Sequence, residues 1–356
     1  QVGLLIALFS YVTTNYVHFY YGGSLIVTVI GCIALFNSKS DSSVKLTWMV
    51  FFSVLPIIGI FLYFYTRLEF GHRFERRRLV EISKKSKNQI ETDPVIFEEM
   101  KTLNDSKDLQ GLHHFVNKIE TFPIYKNSQV TYYPLGEDKF SDLLIELKKA
   151  EKFIFMEYFI IEEGIMWNSI LDILKEKASK GVDVRIIYDD IGCLGKLAKE
   201  YNKKLENMGI RCHVFNPVRP ILSLAFNNRD HRKITVIDGK VGFTGGYNLA
   251  NEYFNYTHPY GQWKDTGIRL EGEAVWSMTV MFLEMWNAIK GTDTDYTPYF
   301  LQDGAQPHEA GLAGSAADRG VGAAQSDANI AADSASGFVQ PYADSPLDGE
   351  PVGENV

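Results

Sequence analysis

Cysteine is scarce, and none of it is arranged for a metal or a disulfide framework. Cys32, Cys193 and Cys212 are the only three in 356 residues, an odd number without paired spacing. Cys32 lies in an apolar run; the other two fit a reduced, cytosolic domain. No cluster of residues has metal-ligand spacing, so chemistry is expected to run on side chains alone, with no metal or cofactor. Positive charge is also short. Lys and Arg number 36 against 44 Asp and Glu, a net charge of −8, which argues against a protein-wide nucleic-acid footprint and a nucleic-acid partner. Lysine is missing from residues 304–337, a Gly/Ala/Ser/Asp-rich stretch that reads as a flexible linker.

Charge is absent altogether from residues 46–66, LTWMVFFSVLPIIGIFLYFYT. At about 1.5 Å per residue this run can cross a bilayer core of roughly 30 Å, and Pro56 and Gly59 are tolerable in such a helix. Residues 22–36 form a shorter uncharged run and residues 2–12 a third. A cleavable signal explains one such run, not three. The first 66 residues are therefore expected to be transmembrane helices. Residues 67–87 then carry Arg67, Arg73, Arg76, Arg77, Arg78, Lys84, Lys85 and Lys87, whereas the loop at 37–45 has only Lys39 and Lys45. By the positive-inside rule the long C-terminal part faces the cytoplasm. The basic cluster either attracts anionic headgroups or only sets topology.

Residues 67–126 read as a basic juxtamembrane segment and linker. From Val130 the pattern is that of an α/β domain, a mixed sheet flanked by helices, over residues 127–303. VTYYPL and KFIFMEYFII (152–161) read as strands, with a helix at 140–149 between them. A helix at 166–180, Gly181 and a strand at 182–190 complete a βαβ unit. A further helix is expected near 195–208 and a strand at 211–217. RKITVI and KVGFTGG form a hairpin about Asp238–Gly239. A strand (263–272) and a long helix (273–290) follow.

The hairpin carries the chemistry. His231 and Lys233 are two apart, so on a strand they face one side with Thr235 beyond, while Arg232 points away. An imidazole beside an ammonium suits phosphate chemistry: neutral His attacks phosphorus or shuttles protons, and Lys neutralises oxygens. Gly245 and Gly246 let backbone approach a phosphate closely, and Asn248 adds an amide donor. The ordinary readings stand beside these: His231 as a strand residue, Lys233 solvated, Asp238 as a turn residue, the Gly pair as a bulge. Glu157, within an apolar strand, needs a partner or a function: it contacts the polar site or pairs with Arg185. Asp189 and Asp190 end a strand, where α/β sites form, or cap a helix. Arg229, Glu252, Trp263 and Asp265 flank the motif; Arg229 binds a second phosphate or forms a surface salt bridge.

His231-x-Lys233, four residues, Asp238, six residues, Gly245-Gly246-x-Asn248 resembles the HKD motif of the phospholipase D superfamily. NNRDHRKI before it and NxANEYF after the Gly pair are similar to bacterial cardiolipin synthases, as is the order of apolar spans, basic segment and HKD domain. The resemblance implies a phospholipase D-like fold over residues 127–303, with residues 338–356 opening a second such domain. It implies two HKD motifs meeting at one site, where one His attacks a phosphodiester to form phosphatidyl-histidine and the other protonates the leaving alcohol. It implies condensation of two phosphatidylglycerol molecules into cardiolipin and glycerol, at a bacterial cell membrane. Carried over, His231 is the nucleophile, or the acid/base, and Lys233 and Asn248 hold phosphate oxygens. Asp238 supports the orientation of His or Lys.

One departure matters. No second HxKxxxxD follows: His113, His114, His213, His258 and His308 lack a Lys two residues on. The second half is expected from a missing C-terminal domain or another copy. The chain, which opens on Gln1 and ends in PVGENV, is expected to be a fragment. Two other readings remain: a phospholipase D that uses water, giving phosphatidic acid, and a catalytically incomplete membrane anchor or partner subunit.

Overall fold

A computed structural model describes residues 2–38, 40–67, 73–86, 90, 92–103, 106–119, 122–218, 228–300 and 337–343. These fall into two units, divided between residues 67 and 73.

In the N-terminal unit the runs at 2–12 and 22–36 belong to one continuous helix, α1 (Val2–Phe36). The intervening VTTNYVHFYY supplies Thr, Asn and His, so its uninterrupted apolar stretches stay short of the roughly 20 residues a crossing takes. The single crossing expected over 46–66 is instead two helices, α2 (Ser42–Val54) and α3 (Pro56–Arg67). Pro56 lacks an N–H and restricts Leu55, which takes φ −132° and ψ 71°. The chain reverses there. The rings of Trp48 and Tyr63 lie 5.4 Å apart, whereas fifteen residues of straight helix would separate them by about 22 Å. Leu35, Phe52 and Tyr63 form the small core of this unit. Among the described residues no helix is long and apolar enough to cross a membrane.

The second unit is built on a seven-stranded sheet. Its strands are β1 (Ser128–Tyr133), β2 (Phe153–Tyr158), β3 (Asp183–Asp189), β4 (Arg211–Phe215), β5 (Ile234–Ile237), β6 (Val241–Gly245) and β7 (Gly267–Gly272). They lie in the order β1-β7-β6-β5-β2-β3-β4. β2, β3 and β4 run parallel, and every other pairing is antiparallel. The mixed sheet flanked by helices is thus as expected. The βαβ unit is β2, α8 (Ile165–Ser179), β3, and β5–β6 is the hairpin about Asp238–Gly239, both with positive φ.

Every residue of β2 is buried because both faces of the sheet are covered. On one side α7 (Gly136–Lys149) and α8 pack over Ile154, Met156, Tyr158 and Phe243. On the other, α10 (Val275–Lys290) covers Phe153, Phe155 and Val236. The helix expected at 195–208 is only α9 (Tyr201–Glu206), preceded by a left-handed Glu200.

Residues 67–126, read above as juxtamembrane segment and linker, include α4 (Arg73–Ser86), α5 (Pro94–Met100) and α6 (Ser106–Ile119). Leu79 and Ile82 of α4 and Val116 of α6 join the core beneath α10. Arg78 binds the end of α10, its Nε donating to Asn287 O at 3.1 Å and its Nη2 to Thr292 O at 2.8 Å. Of the expected linker, residues 304–336 lie outside the described residues, as do 344–356 of the second-domain opening. Residues 337–343 dock on this unit: Tyr125 and Val339 exchange two backbone hydrogen bonds of 2.8 Å.

Candidate active site

The motif meets at the end of the sheet where β2 and β3 finish and β5 begins. His231 and Lys233 are not in the strand itself. The last β2–β5 pair is Glu157 with Ile234, and the residues before it run as an unpaired connection. The cause is Asp189, at the end of β3 and fully buried. Its carboxylate accepts from the Asp230 N–H at 3.0 Å and from Arg229 Nη1 at 3.2 Å, drawing the chain away from β2. Asp189 also accepts from the Ile191 and Gly192 N–H groups, so its part is to fix the connection. Arg229 is correspondingly engaged, its Nη1 also donating to Asn216 O at 3.0 Å.

The alternation survives without the ladder. Lys233 and Thr235 lie on the α7 side, Thr235 bonded to Tyr158 Oη at 2.7 Å. Arg232 turns to the α10 side and meets Glu157. The partner foreseen for Glu157 was Arg185 or the polar site; the structure supplies Arg232 instead, whose Nη2 donates to Glu157 Oε1. Arg185 pairs with Asp183. Asp230 lies 3.5 Å from Arg232, which completes an acid–base–acid cluster under the motif. Burial pushes the Glu157 carboxyl well above its usual range, opposed by the Arg232 charge. Both neighbours of His231 are thereby anchored.

His231 is exposed and its ring lies 5.0 Å from that of Phe159. Partial burial, then the Lys233 charge, lower its pKa, so the imidazole is neutral at neutral pH. Lys233 is 5 % exposed and its ammonium sits 5.7 Å from the Phe159 ring centre. Its Nζ donates to the carbonyl oxygen of His231 at 2.6 Å. Burial lowers the Lys233 pKa to about 8, against the pull of Asp230 and Asp265.

Asp238 is not there. It occupies the hairpin turn at the far end of β5, five residues or about 16 Å of strand from Lys233. Its carboxylate accepts from the N–H groups of Glu151 at 2.7 Å, Lys152 at 2.7 Å and Phe153 at 2.8 Å. Through these bonds Asp238 ties the hairpin to the start of β2. Asn248 is buried beside the site. Its Oδ1 accepts from Ile160 N–H at 3.0 Å and its Nδ2 donates to Tyr253 Oη at 3.1 Å, holding the segment after Phe159. Gly245 and Gly246 admit a neighbouring strand. A Cβ on Gly245, at φ 133°, would lie 2.2 Å from Thr266 O, and one on Gly246 would lie 1.9 Å from Asp265 Oδ1. The glycines thus make room for Asp265. Two residues escaped the sequence reading: Phe159 lies within the strand expected at 152–161, and Lys139 just precedes the helix expected at 140–149. Among the described residues no group of three or more His, Cys, Asp or Glu is arranged to hold a metal ion.

Against known proteins, the family described as "Cardiolipin synthase, PLD-like domain" matches residues 143–286. An uncharacterized protein of Streptococcus mutans is 41% identical over 322 residues, 90% of this chain and 64% of that one. Cardiolipin synthase 2 of Bacillus cereus is 34% identical over 277 residues, 77% of this chain and 52% of that one. The chain spans only 64% and 52% of the length of these two relatives. Among solved structures, a phospholipase D family member, Nuc from Salmonella typhimurium, matches with a TM-score of 0.34 and 20% identity. That match covers 45% of this chain and 94% of that one.

Proposed function

From the phospholipase D-like domain of the cardiolipin synthase family, to which residues 143–286 belong, we propose a membrane-bound phosphatidyltransferase that condenses two phosphatidylglycerol molecules into cardiolipin and glycerol. His231 attacks the phosphodiester: a P–N bond forms, the P–O bond to glycerol breaks, and a second histidine gives its proton to the leaving alkoxide. The hydroxyl of another phosphatidylglycerol then loses a proton to that base and displaces His231. Two displacements replace one harder one, with the acid of the first step serving as base of the second. Lys233 neutralises a non-bridging oxygen. The second histidine belongs to another HKD half, in a C-terminal domain or in another copy.

One observation carries this reading. A neutral imidazole and a buried ammonium stand on one connection, with Lys233 Nζ 2.6 Å from the carbonyl of His231 and Phe159 against both. The N-terminal unit supports the membrane part. Leu25, Ile26, Ile30, Phe36, Leu46, Val54 and Phe61 are each at least 62 % exposed, an apolar surface that water disfavours and lipid accepts.

The test is product identity. The full-length protein with labelled phosphatidylglycerol in vesicles is expected to give cardiolipin and glycerol. Phosphatidic acid would make the acceptor water. No product, with no effect of His231→Ala on anything measured, would leave the anchor or partner reading.

A further inference from the structure

Lys139, in the first turn of α7, is 1 % exposed. Among the described residues its ammonium has neither a hydrogen bond nor an ion pair; its contact is the Tyr247 ring, whose centre is 5.5 Å from Nζ. A buried charge without a counter-ion costs several kcal/mol, and chains avoid it unless the charge has a use. The surroundings show where it points. Its stem passes under the start of β7, where a Cβ on Gly267 would come within 2.8 Å of its Cδ. Gly267 pairs with Gly245 of the motif. The charges that act on Lys139 are Asp265 and Lys233, and the charges that act on Lys233 include Asp265. Lys139 and Lys233, 94 positions apart in the chain, thus both lie within the field of Asp265, and Gly245, Gly246 and Gly267 clear the space between the segments. Burial, more than the nearby positive charge, brings the Lys139 pKa down to about 7, so an arriving anion would raise its protonation.

We infer that Lys139 is a second phosphate-binding residue of the site, its ammonium and that of Lys233 gripping the phosphodiester of the anionic lipid from two sides. The inference rests on the phosphatidyltransfer reading and deepens it. Lys139 is a binding residue, with no proton-transfer step assigned to it.

The experiment uses the full-length protein with inorganic phosphate and with phosphatidylglycerol vesicles. Lys139→Met keeps the stem and removes the charge. It is expected to weaken phosphate binding and raise KM for phosphatidylglycerol by about 10- to 100-fold, the effect of a lost charged hydrogen bond, with thermal stability equal or higher. Unchanged phosphate affinity and KM in a folded Lys139→Met protein would overturn it. A measurement on the unaltered protein covers a variant that does not fold: acetylation of lysines by acetic anhydride, read by mass spectrometry. Phosphate is expected to protect Lys139 and Lys233 together; protection of Lys233 alone overturns the inference. His231→Ala separates the two claims. If it keeps turnover, the phosphatidyltransfer reading fails; if it is dead while Lys139 is neither protected nor needed, only this inference fails.

Discussion

Asp238, the third letter of the HKD pattern, accepts three backbone hydrogen bonds at the α7–β2 junction. Asp238→Ala removes the acceptor of three N–H groups, of which only that of Phe153 is buried, and is expected to cost about 1–3 kcal/mol of stability. Its kcat/KM per folded molecule should stay within a few-fold of the parent, which denaturant titration and assay together check. An orienting role would instead reduce turnover in fully folded protein. His231 offers a pH test. Its pKa lies below the ordinary 6.5, through burial first and the Lys233 charge second. The attacking form is neutral, so activity is lost as pH falls through a value under 6.5. Lys233→Met removes the second cause and is expected to move the His231 titration upward, by NMR; an unmoved titration would mean the two charges do not sense each other. The residue types and spacing of His231, Lys233, Gly245 and Gly246 were readable because chemistry and turn geometry each demand few residue types. Lys139 was not, since it falls outside the helix expected at 140–149, and only Gly267 and Asp265, more than 120 residues on, reveal its surroundings.

Among the elements, the sheet was legible wherever local pattern decides: the buried β2 and β3, the Asp238–Gly239 hairpin and the amphipathic α7, α8 and α10. It was not legible where a distant group decides. β5 starts two residues after the expected Arg232 because Asp189 holds the Asp230 N–H, and Glu157 finds Arg232 rather than Arg185. The docking of α4 depends on Arg78 meeting the end of α10, 209 positions away. Hydropathy over 46–66 reports apolar content, not direction, and so missed the reversal at Pro56. In protein carrying Cys32→Ser, Trp48→Cys and Tyr63→Cys, a short bismaleimide is expected to join the two thiols, because the rings they replace lie 5.4 Å apart. A straight helix would hold them about 22 Å apart, and no such link would form.

For the molecule as a whole, the described chain holds one HKD motif at the open end of one sheet, and it spans 52% of the length of the Bacillus cereus cardiolipin synthase 2 that it matches. The family resemblance was legible in the sequence because six positions, His231, Lys233, Asp238, Gly245, Gly246 and Asn248, stand at a fixed spacing. The reaction is a proposal, and it calls for a second histidine from another HKD half. The most direct test is to quench the full-length protein soon after mixing with phosphatidylglycerol and map any adduct by mass spectrometry. A phosphatidyl group on the peptide bearing His231, labile to acid and absent from His231→Ala, is the predicted result. A phosphatidyl adduct on another residue, or undiminished cardiolipin formation by His231→Ala, would contradict it.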